Sequence, residues 1–542
     1  YLSAATAGGL TQTRPTGAGI VARRVGAASS ATAIYFSSGD PTTYATIEGM
    51  EAVAGDVIVG DDGAWTKIAA GTAGQVLATA GAGALPAWAD RPKRGAYDVI
   101  VYKSGTSVIA EDATGATIAS GTAGTDDATV IQAAIDEFIN GGHIYIKSGE
   151  YYITKELMIY TGKNITISGG SNTILYRDFN RDLPGAGSDR FWIRTSENIT
   201  IYGITFIRRD TYGPIVTANL GVNIMGSQNV AICECEFSGF SAAITMKSHP
   251  SSGKTSDNIR IENNRISEYT LAGVSIGNGC NHVTVRGNEI FNGIREQHSD
   301  GKYYLYGIAT GTIGATDQTN PGYQNIIIDN NYIHDQEIWT GISLHGGDNC
   351  WITNNRIHNV GFSPDAEGGT GISAHNICGP TIEPGDPVGN NHNWVISGNV
   401  ISDTKTGIHV YNDHSGSNLT GVSIVNNAIT NVVYRSIYVH VPPEIENSTL
   451  SNVIVANNTL DGCTGTYPYP YGIHIGGAVA TGSRIYNAVV TNNTIAKERA
   501  QSDYQIGIRV GPEVDVNIIG NAIRNTSVCG IDMMGIIGSR SI

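Results

Sequence analysis

The stretch Asn258-Ile259-Arg260-Ile261-Glu262-Asn263-Asn264-Arg265-Ile266 decides the fold. Its closing phrase, an Asn, one variable residue and an aliphatic, occurs nine times. It reads Asn264-Arg265-Ile266, Asn288-Glu289-Ile290, Asn331-Tyr332-Ile333, Asn355-Arg356-Ile357 and Asn399-Val400-Ile401, then Asn427-Ala428-Ile429, Asn458-Thr459-Leu460, Asn493-Thr494-Ile495 and Asn521-Ala522-Ile523. A repeat of roughly 20 to 45 residues means a solenoid, because each unit can bury its apolar face only against its neighbours. Two strands are read in each repeat. In the first, alternation turns Ile259 and Ile261 inward. The second begins Gly-Val or Gly-Ile, as in Gly273-Val274-Ser275-Ile276 and Gly407-Ile408-His409-Val410.

Stacked coils repeat at about 4.8 Å, so equivalent residues form columns along the axis. Asn in such a column bonds its amide to the coils above and below, satisfying a buried turn. The nine Asn therefore read as structural. Triplets such as Asn457-Asn458-Thr459 read as ladder, not as glycosylation sites.

Composition agrees. The 542 residues include 69 Gly and 26 Tyr, which suits short strands broken by turns. Thirty-three basic against 48 acidic residues leave a net charge of -15. That excludes unspecific binding to nucleic acid or anionic membrane and leaves an acidic polymer to a locally basic or His-rich patch. The seven cysteines show no paired spacing and read as small buried residues: Cys235 stands where the next repeat has Asn, and Cys350 falls on an inward position. No apolar run approaches membrane-spanning length and no signal peptide is visible. A start at Tyr1 without Met reads as a fragment.

Two segments differ from the coils. Residues 1–95 are rich in Ala, Gly and Thr and lack the Asn phrase. Within them, Gly71-Thr72-Ala73-Gly74-Gln75-Val76-Leu77, Gly81-Ala82-Gly83 and Pro86-Ala87-Trp88 resemble a segment of bacteriophage tail-fibre and tail-spike proteins that precedes the receptor-binding part. Residues 96–542 form the second domain. In it, Gly124-Thr125-Asp126-Asp127 precedes apolar residues at Val130, Ile131, Ala134, Ile135 and Phe138, which predicts a helix over about 126–139 after an Asp cap. With Gly141-Gly142-His143-Ile144-Tyr145-Ile146 and Gly149-Glu150-Tyr151-Tyr152, the passage resembles the opening of the pectate-lyase-like family. That resemblance implies an all-β right-handed parallel β-helix, of about 11–12 coils on the phrase count, with the helix capping its first coil. A solenoid end exposes strand edges and core, so it needs such a lid.

The Asn phrase sets a register for the Gly-Ile strands. The first outward column runs Thr245, Ser275, Ala309, Ser343, Ser373, His409, Tyr438, His474, Arg509. The second runs Lys247, Gly277, Gly311, His345, His375, Tyr411, His440, Gly476, Gly511. His345, His375, Tyr411 and His440 thus fall on consecutive coils, with His409, Tyr438 and His474 beside them. Imidazole and phenol rings suit sugar stacking and proton transfer near neutral pH. Outward rings also stack simply to stabilise a sheet. Asp348, Asp413 and Glu444 border this surface, with Asp335 and Glu337 farther round the coil. Long spacings, 43 residues from Asn288 to Asn331 and 44 from Asn355 to Asn399 against 24 for tight coils, add loops 295–306, 312–323, 361–370 and 376–393 that would wall a groove. They carry Arg295, Lys302, Tyr303, Tyr304, Asp365, Glu367 and Glu383; Tyr467, Tyr469 and Tyr471 lie on a later Pro-containing loop and offer a stacking platform.

The resemblance implies a phage tail-spike depolymerase, located on the virion tail and acting outside the cell on a bacterial polysaccharide. It also implies a homotrimer joined to other tail components through the N-terminal region. In a lyase, His375 or His345 is the base, Tyr411 the acid, and His409 or a loop Arg neutralises a uronate carboxylate; Tyr438, His474, Arg509, Tyr303, Tyr304, Tyr467 and Tyr469 bind sugar. In a hydrolase a pair among Asp348, Asp413, Glu444 and Glu337 acts instead. A spike that only binds its receptor is the third reading. Gly341-Ile342-Ser343-Leu344-His345 resembles the catalytic strand of mannuronan C5-epimerases, but Ser343 stands where that family has Asp and Leu344 where it has Pro. No cofactor is expected; the resemblance allows a Ca²⁺, which some β-helical lyases use, although no tight Asp cluster marks a site.

Overall fold

The structure, a computed structural model, describes residues 57–61, 64–69, 75–78, 86–90 and 97–534, except 178–190, 209–219, 250, 298–302, 312–322, 363–367, 377–389, 413–414, 464–469, 477–481, 497–505 and 527. It forms two compact units, Tyr1–Gly95 and Ala96–Ile542. In the first, Val57–Asp61 pairs antiparallel with Ala64–Ile68, and Gln75–Ala78 with Ala87–Asp90. The second hairpin sets Leu77 opposite Trp88, which joins two elements of the tail-fibre-like segment.

The second unit opens with three antiparallel strands, Val99–Ser104, Ser107–Asp112 and Thr117–Thr122. The helix Asp127–Glu137 follows and buries Val130, Ile131, Ala134 and Ile135, the four positions of its apolar stripe. Its entry differs from a simple cap. The Asp126 side chain makes no capping bond and instead accepts the Thr122 N–H at 2.8 Å. The buried Asp127 accepts the N–H groups of Gly124 and Tyr152 and pairs with Lys103 at 2.8 Å, which ties the lid to the first coil.

Among the described residues thirteen coils then stack in parallel, more than the nine phrases imply because the first coils lack the Asn. Each coil has three faces, not two strands. The first face runs from Gly142–Ile146 to Val514–Ile519, the second from Gly149–Ile153 to Ala522–Ile523, and the third from Leu157–Tyr160 to Cys529–Met533. The phrase itself forms the second face: Arg265–Ser267, for example, is a three-residue strand in which only Ile266 turns inward. That strand is too short for alternation to reveal. The inward column Val283, Ile326, Cys350, Trp394, Val422, Val453 is buried throughout.

The phrase Asn side chains make one continuous ladder from Asn264 to Asn521. Each Nδ2 donates to the next Oδ1 at 2.9 or 3.0 Å. Each also donates to a carbonyl at the end of a first-face strand, as Asn399 does to Ile352 at 2.9 Å. Cys235 donates its N–H to Asn264, so it does hold the rung before the ladder begins. The residue ahead of each Asn is left-handed, with φ between 54 and 68°, and is itself Asn or Gly: Asn263, Gly287, Asn330, Asn354, Gly398, Asn426, Asn457, Asn492, Gly520. These are the residues that tolerate that region.

The Gly of Gly-Ile has a packing cause. A Cβ on Gly307 would come within 2.6 Å of the Gly341 carbonyl and 2.7 Å of Ile333, the aliphatic of the phrase. Gly273, Gly341, Gly371, Gly472 and Gly507 each meet the next coil's Gly carbonyl and a phrase aliphatic in the same way, and Gly407 meets the Ser436 carbonyl and Ile429. Two consensus signals of the sequence are therefore one contact.

Candidate functional site

The third face carries both predicted columns in the predicted register. Ser343 pairs with Ser373, Ser373 with His409, His409 with Tyr438, Tyr438 with His474 and His474 with Arg509. Beside them His345 pairs with His375, His375 with Tyr411 and Tyr411 with His440. Parallel in-register pairing puts these rings one coil rise apart, about 4.8 Å, so they stack. Centroids lie 4.7 Å apart for His375 and Tyr411, 4.9 Å for His409 and Tyr438, and 4.7 Å for Tyr438 and His474, while His345 meets His375 edge-on at 4.2 Å. The two columns also interlock: His409 lies 4.3 Å from Tyr411, and Tyr438 lies 4.0 Å from His440.

Although outward-facing, the ladder is well covered. His375, His440 and His474 are buried, while His345, His409, Tyr411 and Tyr438 are half-buried. Ser343 Oγ meets His345 Nε2 at 2.7 Å. His440 Nε2 and His409 Nε2 are 2.9 Å apart, so one imidazole donates to the other. Burial keeps four of the imidazoles, those of His345, His409, His440 and His474, uncharged. Together with the neighbouring His375 it holds His345 well below the usual imidazole range. Burial, then His440, His375, Arg435 and His474, does the same to His409. Burial and Arg435 push His440 down to about 3. Burial, then Arg435, Arg509 and His440, push His474 to about 2. His409 is thus no cation to neutralise a carboxylate.

The remaining sequence candidates divide. Tyr304 joins the third face, edge-on to Trp339 at 5.6 Å and packed on Ala242, Ala272, Tyr306 and Ala309. Tyr303 does not join the ladder: it bridges Gln297, and Arg295 covers its ring at 4.1 Å. Asp348 starts a first-face strand and turns to His392, with Oδ1 3.1 Å from its Nδ1. Glu444 is exposed in the turn after His440. Asp335 belongs to the second face, where His334 and Asn359 bond it, and Glu337 accepts the Arg295 N–H. Tyr471 begins the strand Tyr471–Ile475 and does not lie in a loop. Asp413, Tyr467 and Tyr469 lie outside the described residues, as do Lys302, Asp365, Glu367 and Glu383. Among the described residues, no three His, Cys, Asp or Glu side chains gather as metal ligands. No helix among them is long and apolar enough to cross a membrane.

Sequence reasoning missed a third column, formed by residues just before the Gly of each strand, or before Ser436 in its place. It runs Tyr306, Thr340, Thr370, Thr406, Arg435, Tyr471. Tyr306 extends the ring ladder to His345 at 5.8 Å, and Arg435 lies 4.1 Å over the Tyr438 ring. The signal was available, because Tyr306-Gly307 and Tyr471-Gly472 place an aromatic at the same offset.

Several solved structures are similar to this one. The surface protein and adhesin PfbA of Streptococcus pneumoniae is 16% identical with a TM-score of 0.50, and the match covers 76% of this chain and 96% of that one. The catalytic domain of a GH87 alpha-1,3-glucanase in complex with nigerose is 17% identical with a TM-score of 0.49, over 75% of this chain and 66% of that one. The catalytic unit of the thermostable GH87 alpha-1,3-glucanase from Streptomyces thermodiastaticus is 16% identical with a TM-score of 0.49, over 75% and 67%. The chain thus spans just under two thirds, 66%, of the first glucanase. No curated protein matches the chain. The model of the right-handed β-helix region matches residues 142–316 and 310–441, more than half of the sequence and all of the ring ladder up to His440. With the coils, their parallel register and this match, the chain belongs to the right-handed β-helix family.

Proposed function

We propose that the outward side of the third face is a groove that binds an acidic polysaccharide and cleaves it by β-elimination, on a spike of the phage-tail type. The observation that carries this reading is the run of His and Tyr rings from His345 to His474 over five consecutive coils. Four coils cover roughly 15 Å, the length of about three sugar rings. Within the run, His375 and Tyr411 stand side by side as a base and an acid. His375 takes the proton alpha to a uronate carboxylate, the electron pair forms the new C=C bond, and Tyr411 gives its phenolic proton to the departing glycosidic oxygen. Of the described hydrolase candidates, Asp348 and Glu337 are engaged elsewhere and Glu444 alone is left, which supports elimination over hydrolysis. Hydrolysis would require Asp413. The spike would act outside the cell at a bacterial surface, as a homotrimer, and attach to the tail through residues 1–95.

A second reading has its own observation. The rings spend their faces on one another, as sheet-stabilising aromatics do, which suits a spike that binds its receptor glycan without cutting it. Incubation with a panel of capsular and uronate polysaccharides separates the readings. A rise in both near-ultraviolet absorbance of unsaturated uronate and reducing ends supports elimination. Reducing ends alone mean hydrolysis, and binding with neither means a receptor-binding spike.

A further inference from the structure

The ladder ends at two arginines with too few anions. Arg435 sits half-buried on the third face, its guanidinium 4.1 Å over the Tyr438 ring and 5.7 Å from that of Tyr471. Among the described residues no carboxylate pairs with it, and its Nε is buried without a hydrogen-bond partner. Two coils on, Arg509 comes to the same Tyr471 ring at 5.1 Å and donates to its hydroxyl. The carboxylate it meets is Asp532, at 3.9 Å, the outer limit of an ion pair. His440 lies on the same strand as Arg435, and His474 on the coil between the two arginines; they are 9% and 8% exposed, each with a buried Nδ1 that has no partner.

Packing alone does not account for this group. Stacking a guanidinium on a ring stabilises only modestly, whereas withdrawing its charge and several polar atoms from water without partners is costly. Each feature is explained at once if an anion completes the site. Two guanidinia and two imidazoles able to donate from Nδ1 then face a ligand that supplies only acceptors. In a chain of net charge -15, this is the local basic patch that an acidic glycan requires.

We infer that Arg435 and Arg509, with His474 between them, form a subsite for an oxyanion of the bound glycan: a carboxylate, sulfate or phosphate borne by a sugar. The inference rests on the third face being the glycan groove. Arg435 stands two coils from His375, about 10 Å along the axis, so the subsite holds a sugar beside the one that reacts. Arg435 is therefore a specificity-determining residue and not a catalytic one.

Selenate, a tetrahedral oxyanion with a strong anomalous signal, tests the site directly in crystals of the full chain. An anomalous peak within hydrogen-bond reach of both guanidinia is expected, lost in Arg435→Gln and weakened in Arg435→Lys. Glucuronate and glucose 6-sulfate should displace selenate and glucose should not, and whichever acid competes better identifies the group. No peak, or one undiminished in Arg435→Gln, overturns the subsite; if the Gln variant does not fold, undiminished binding in Arg435→Lys does so. On a polysaccharide that the protein cleaves, Arg435→Gln should raise KM roughly 10- to 100-fold with kcat nearly unchanged. A fall in kcat at constant KM would contradict a binding role. Selenate binding without turnover of any polysaccharide would sink the lyase reading and leave the subsite standing.

Discussion

Two ladders climb the same coils. The Asn ladder from Asn264 to Asn521 lies inside a turn, and each internal rung is bonded to the next coil and to a backbone carbonyl. The ring ladder from His345 to His474 lies on an outer face, changes residue type from coil to coil, and leaves His440 Nδ1 and His474 Nδ1 buried without partners. A uniform column that satisfies itself needs no ligand. A varied column that leaves polar atoms wanting is the one to search for function.

The comparison breaks first at the level of activity. His375→Ala and Tyr411→Phe should each lower turnover of the cleaved polysaccharide by roughly 10²- to 10⁴-fold, with melting temperature little changed. Full activity in both variants would show that the ladder is only a stack. The Asn ladder should respond in stability instead. Asn399→Ala leaves buried donors and acceptors on both adjoining coils unpaired, and we expect a loss of about 3 kcal/mol in chemical denaturation. The last rung, Asn521, is partly exposed, so Asn521→Ala should lose about 1 kcal/mol. Equal losses at the two sites would deny that burial sets the contribution of a rung.

Acid should distinguish the ladders next. The imidazoles of His345, His409, His440 and His474 have folded-state pKa values depressed from 6.5, to about 3 for His440 and about 2 for His474. The unfolded chain takes up protons first, so stability is fully present above about 6.5 and is lost as pH falls below it. Melting temperature should drop from pH about 6.5 towards pH about 3, less steeply in His440→Phe, which keeps the ring and removes the titration. A flat profile in the wild-type chain would mean that these rings are open to water. The smallest effect concerns the outer Asn column, in which Asn198 bonds Asn164 and Asn229 bonds Asn198 at the exposed start of the first-face strands. Because Asn229 is left-handed at φ 53°, Asn229→Gly should shift stability by no more than about 0.5 kcal/mol. A shift as large as that of Asn399→Ala would show that exposed and buried rungs contribute alike.

Much of this was legible in the chain. The Asn phrase disclosed the solenoid, and counting from it aligned His345, His375, Tyr411 and His440 correctly, because strands in parallel register convert a constant offset into a column. The count of coils was not legible, since earlier coils place Ile204 and Cys235 at the turn where later ones use Asn. Tyr471 read as loop because Pro470 precedes it, yet pairing with Arg435 makes it strand. Arg435 escaped notice because a register shift between Thr404 and Thr406 and a Ser in place of Gly disguise its strand.

By itself, then, the sequence determined the repeat, the helical lid and the identity of the inward and outward columns, all of which are local and periodic. Tertiary structure alone decided that the outward rings are covered and that His345, His409, His440 and His474 are uncharged. It also decided that Asp348 turns away from them, and that Arg435 and Arg509, 74 residues apart, share one tyrosine. Burial, charge state and pairing depend on what neighbouring coils place within a few ångströms, and no single repeat carries that information.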